Sequence, residues 1–181
     1  MRKINSIIAT IILVLLVDHI IFATLHLAGY PVHVFGPMAH LMLTLVIIHG
    51  ILSMILTVNA EKTGMKTKAR YNKENAEFWA RRTSGVAILA FAIFHAYAMM
   101  KLPDGRPRIS TLGPIARICN IGLAISVCVH IIINIKPLMI SLGIRKHNLL
   151  SKILYVFFVL LTVIACYFLA LVLIRGGANH D

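Results

Sequence analysis

The sequence predicts an all-α fold, a single integral membrane domain over 1–181 built as a bundle of five transmembrane helices. Three observations point there: an apolar composition, long runs almost free of charge, and charges gathered in the gaps between those runs. Of 181 residues, 59% are hydrophobic and 13% charged, and the mean hydropathy is +0.87. A water-soluble domain of this length needs far more charge to cover its surface. Lys and Arg number 18 against 6 Asp and Glu, yet they sit in short gaps between apolar runs. That is a topology pattern, not a polyanion-binding face, so membrane lipid is the expected surrounding and nucleic acid is not an expected partner.

A spanning helix needs about 20 apolar residues. Five stretches meet that need: 5–27, 36–60, 82–100, 112–135 and 152–174. The first follows Arg2 and Lys3, as a signal peptide would, but Asp18 and His19 interrupt it and no small-x-small site follows, so an uncleaved helix is expected. Gly29-Tyr30-Pro31 closes it. The second leads into a polar connection over 61–81, too short for a domain of its own. Leu102-Pro103-Asp104-Gly105 ends the third, and Gly113-Pro114 opens the fourth. The fifth begins at Lys152. Cys119, Cys128 and Cys166 form no CxxC or CxxCH, which argues against covalent haem attachment and thiolate zinc, and reads as helix packing.

The basic residues orient the bundle. Arg2, Lys3, the cluster from Lys62 to Arg82, and Lys136, Arg145, Lys146 and Lys152 fall on one side. Lys101, Arg106, Arg108, Arg117 and Arg175 fall on the other. The positive-inside rule then predicts a multi-pass protein of the cytoplasmic (cell) membrane, N-terminus in the cytoplasm and C-terminus outside.

Nine histidines in so apolar a chain call for an explanation. His33, His147 and His180 fall in loops or the tail, where solvation suffices. His19, His26, His40, His49, His95 and His130 fall on the first four helices. An ionisable group inside a bilayer is expensive and faces a partner, a cavity or a cofactor. Neutral imidazole binds iron through one ring nitrogen while the other donates to an acceptor, and two such ligands fill both axial positions of a haem. Two haems would thus use four histidines from four helices. Packing by hydrogen bonds across helices is the competing explanation, and spacing alone does not select four of the six.

Three segments carry a resemblance. They are Ile48-His49-Gly50-Ile51-Leu52-Ser53; Phe78-Trp79-Ala80-Arg81-Arg82-Thr83-Ser84-Gly85 running on to Phe94-His95-Ala96; and Val129-His130-Ile131-Ile132-Ile133-Asn134-Ile135-Lys136, followed by Ser141-Leu142-Gly143-Ile144. In order and placement they resemble the transmembrane cytochrome b subunit of succinate dehydrogenases and fumarate reductases (succinate:quinone oxidoreductases), the five-helix, two-haem type. The match runs over 45–175, the first helix fitting more loosely through Ser6 and His19. Asn134 stands where that family commonly has Gly, and Lys136 where it commonly has Arg, without Arg's bidentate fork.

The resemblance implies two haem b groups, the one nearer the cytoplasm held by His49 and His130 and the outer one by His19 and His95. It implies haem-edge or quinone contacts for Arg82, with Arg81 beside it, and for Ser84 and Lys136. It also implies a quinone of the menaquinone type as substrate, and FAD-containing flavoprotein and iron–sulfur subunits on the cytoplasmic face. The chain itself has no flavin or iron–sulfur motif, so its part in such a respiratory complex is the anchor and electron conduit.

Helix rise gives a partial check. His130 is about 9 Å from Lys136, His95 about 20 Å from Arg82 and His19 about 24 Å from Lys3, so His19 and His95 share an outer depth. His49 fits less well, about 20 Å from Lys62. His26 lies on roughly the His19 face and is its substitute if the register differs. His40 is expected to snorkel to the interface. Asp18 is the one carboxylate inside an expected span, either a proton-handling group for quinone chemistry or a carboxylate reaching the interface. Other assignments remain open at this stage: a di-haem quinone-reactive subunit of a hydrogenase, formate dehydrogenase or nitrate reductase, and a haem-free small transport or assembly protein.

Overall fold

The computed structural model describes residues 1–27, 36–67, 72–100 and 113–143, together with 149, 152, 153, 156, 157, 160, 161, 164 and 167. Among them four helices run in order: α1 (Arg2–Leu27), α2 (Gly36–Thr67), α3 (Asn72–Met100) and α4 (Pro114–Ser141). Within α1, α2 and α4, the stretches Arg2–Ala23, Pro37–Asn59 and Pro114–Ser141 are long and apolar enough to cross a membrane, which makes this a multi-pass membrane protein. Most of the expected fifth span, 152–174, lies outside the described residues, and those described from Lys152 to Tyr167 are helical. The turns expected at 29–31 and 102–105 lie outside them too.

The helices outrun the apolar stretches that predict them. α2 continues to Thr67 and α3 starts at Asn72, so most of the expected polar connection is helix. Glu and Lys are the commonest residues there, and both are good helix formers whether or not they lie in lipid. α4 opens as expected on Gly113 with Pro114 in its first turn. It passes Pro137 and ends six residues beyond the expected 135, at Ser141. Gly143 stops it with a left-handed φ of 78° that a residue with a Cβ rarely adopts.

The faces are sorted as lipid requires. α4 turns Ile115, Ile118, Ile125, Ile132 and Ile140 outward, Ile132 at 61% exposure. α1 does the same with Ile4, Ile7, Ile11 and Val14. Thr57 and Ser84, by contrast, are buried at 6% and 7%. Polar groups inside and large aliphatics outside are the reverse of a soluble bundle.

Contacts between helices run from α1 to α2, α2 to α3, α3 to α4 and α4 back to α1. The result is a closed four-helix arrangement in which α1 faces α3, and α2 faces α4, across the middle. α3 and α4 pack closest, because Gly122 has no side chain. A Cβ there would come within 2.6 Å of the Phe91 ring.

Candidate functional site

Two of the six helix histidines meet across the middle of this arrangement, and two more come within electrostatic range of each other. His19 on α1 faces His95 on α3, with ring centres 6.2 Å apart and planes at 84°. His49 on α2 lies close enough to His130 on α4 to interact with it electrostatically. Each pair joins helices that face one another rather than neighbours. The two pairs lie at different depths, since His95 sits beside Asn120 and His130 beside Ser84. Those partners are separated by about 17 Å of rise along α3 and about 15 Å along α4.

Hydrogen bonds fix two of the rings. His95 Nδ1 bonds Asn120 Oδ1. His130 Nδ1 lies 3.0 Å from Ser84 Oγ, while that hydroxyl also lies 2.7 Å from the Ala80 carbonyl. His130 further covers Gly85, where a Cβ would stand 3.4 Å from its Cε1. His49 Nδ1 is buried with no hydrogen-bond partner among the described residues, and the ring lies against the Asn5 backbone. Asp18 is half-buried next to His19 and within electrostatic reach of its ring.

The His49 and His130 end is held by a ring of side-chain bonds that touches every helix. Asn5 Nδ2 on α1 donates to Ser53 Oγ on α2 at 3.1 Å. Arg82 Nε on α3 donates to Thr57 Oγ1 on α2 at 2.9 Å. Ser84 on α3 meets His130 on α4, and Ser141 Oγ on α4 meets Ser6 Oγ on α1 at 2.7 Å. Arg82 is held further by the Phe78 carbonyl at 2.9 Å and by the Phe78 ring, 3.5 Å below its guanidinium.

This ring also explains why His49 seemed too far from its boundary when measured from Lys62. α2 runs two turns past Ala60, so Lys62 does not mark a helix end. The marks that count are Ser53 and Thr57, one and two turns beyond His49, and they bond Asn5 and Arg82.

The remaining candidates take other places. His40 is exposed on α2, and its carbonyl accepts from Thr44 Oγ1 at 2.9 Å. The His26 side chain, His33, His147 and His180 lie outside the described residues. Lys136 is exposed on α4, and Asn134 Nδ2 turns back to the His130 carbonyl at 2.8 Å. Arg81 pairs with Glu77 at 3.0 Å on its own helix. Reading the sequence missed Asn120 and Thr57, and the available signal was an amide and a hydroxyl inside apolar spans. Among the described residues, no three or more His, Cys, Asp or Glu side chains gather as a metal site. Two facing imidazoles suit a metal that brings its other ligands with it. No family model, curated protein or solved structure matches this chain.

Proposed function

We propose that the chain is a di-haem cytochrome b, the membrane anchor of a complex of the succinate dehydrogenase or fumarate reductase type. The observation that carries this reading is the facing pair of His19 and His95 across the bundle, with His49 and His130, on the other two helices and at another depth, within electrostatic range of each other. Two imidazoles on opposite sides of one iron, with metal–nitrogen bonds of about 2 Å, have ring centres roughly 6 Å apart. The His19 and His95 centres, at 6.2 Å, fit that spacing. His49 and His130 would hold the second haem.

Haem held by His19 and His95 and by His49 and His130 would supply one-electron transfer. The chain's own residues do the rest. Asn120 and Ser84 hold two of the four rings in place, and the outward aliphatic faces keep the interior away from lipid. Asp18, beside the outer pair, is the candidate to exchange protons with a menaquinone-type quinone. Arg82, Ser84 and Lys136 sit on the helices that would flank the inner haem. The surplus of basic residues would put the N-terminus in the cytoplasm, where the flavoprotein and iron–sulfur subunits would dock, with 152–174 as a fifth span.

The deciding experiment is a reduced-minus-oxidised spectrum of the full chain with a haem count per polypeptide. Two low-spin b haems are expected. No haem in folded protein supplied with haem overturns the reading and leaves the histidine pairs as packing contacts.

A further inference from the structure

Asn120 and Ser84 are matched across the closest helix pair. The acceptor on α4 serves the α3 histidine, and the acceptor on α3 serves the α4 histidine. We infer that Asn120 and Ser84 are positioning residues that hold His95 and His130 as the Nδ1–H tautomer and tune the two haem centres separately. The inference rests on the haem reading above.

The tautomers follow from the partner of each Nδ1. An amide oxygen only accepts, so the bond from His95 to Asn120 Oδ1 requires a proton on Nδ1. Ser84 has one hydroxyl proton, and the carbonyls of Ala80 at 2.7 Å and Arg81 at 3.2 Å can only accept it. The shortest contact, 2.7 Å to the Ala80 carbonyl, assigns that proton to the backbone, and the Ser84 oxygen then accepts from His130 Nδ1–H at 3.0 Å. Both rings then present Nε2 with a free lone pair, the form that ligates iron.

The same two bonds act on the iron. An acceptor on the far N–H makes the imidazole a stronger donor, which favours the ferric state and lowers the reduction potential. The acceptors differ, a side-chain amide for His95 and a hydroxyl already polarised by its own donation for His130. They also stand at different depths, so removing one leaves the other in place.

A redox titration of the full chain, followed by the haem absorbance, tests this with Asn120→Leu and Ser84→Ala. Each variant is expected to raise one midpoint and leave the other where it was. A tenfold change in the reduced-to-oxidised ratio, about 59 mV for one electron, is the size to look for. Ser84→Thr, which keeps the hydroxyl, restores the wild-type value. Should Asn120→Leu lose its haem, Asn120→Asp keeps an acceptor of greater charge, and a midpoint below wild type supports the assignment. Two bound haems with unmoved midpoints overturn this inference and leave the cytochrome reading intact. A wild-type chain without haem overturns both.

Discussion

At the His49 and His130 end, every pair of neighbouring helices is joined by a bond between side chains: Asn5 with Ser53, Thr57 with Arg82, Ser84 with His130, and Ser141 with Ser6. At the His19 and His95 end, the bond between Asn120 and His95 joins α3 to α4, and the two rings face each other across the bundle. Lipid gives helices no hydrophobic reason to associate, so packing and such bonds must set their register. One end therefore doubles as the clasp of the bundle, while the other holds the facing histidine pair and its neighbour Asp18. His130 bonds α3 to α4 within that ring, and His95 bonds them outside it.

Replacing one histidine from each pair breaks that comparison most directly. His95→Leu and His130→Leu should each lower the haem count from two to one per polypeptide, the largest effect expected. The two variants should then part in thermal unfolding in detergent. His130→Leu also removes the Ser84 partner from the ring, whereas His95→Leu leaves the ring whole. His95→Leu breaks the bond to Asn120 instead, so equal melting temperatures would show that an α3–α4 bond counts for no more inside the ring than outside it.

The next largest effect belongs to Arg82. Arg82→Leu takes away the guanidinium that serves buried Thr57 and the Phe78 carbonyl, and the face it lays on the Phe78 ring. Leaving a buried hydroxyl without its charged partner costs about 1.5–3 kcal/mol. Thr57 still donates to the Ser53 carbonyl at 2.7 Å, so Thr57→Val in the Arg82→Leu background should recover only the part of that loss due to its unpaired acceptor side. Unfolding by denaturant, compared across the four variants of the cycle, measures it.

Between the two ends, Gly122 sets how close α3 and α4 can come. Gly122→Ala puts a Cβ into the Phe91 ring, and overpacking of this kind costs about 1–3 kcal/mol. The double variant with Phe91→Leu should be more stable than Gly122→Ala alone. Because α3 and α4 carry one histidine of each pair, the strain at Gly122 is expected to weaken both haems, unlike the ligand variants.

Much of this arrangement was written in the sequence, and the limits have physical causes. The apolar runs predicted α1, α2 and α4 because lipid demands about 20 such residues in a row. They could not predict where α2 and α3 end, since Glu61 to Thr67 and Asn72 to Ala80 are helical without being apolar. The histidines stood out because an ionisable group in a span needs a reason. Their pairing came only from the resemblance, because it depends on which helices face each other, and spacing along one helix carries no such information. Asn120 was passed over for the opposite reason: one amide among isoleucines looks like packing until His95 is found beside it.

The smallest effect lies in the ring itself, between Ser141 and Ser6. Ser141 Oγ is 2.7 Å from both Ser6 Oγ and the Leu138 carbonyl, and Ser6 Oγ is 3.1 Å from the Arg2 carbonyl. Two hydroxyls hold two protons for three contacts, so one contact is always without a proton. Losing either hydroxyl thus frees a backbone bond as it breaks the bond between helices. Ser141→Ala should cost about 0.6 kcal/mol, the mean for such bonds in membrane proteins. In a double-mutant cycle with Ser6→Ala the coupling should be small but positive. A coupling of zero would mean that α1 is held to the ring through Asn5 and Ser53 alone, and would open the clasp on its α4 side.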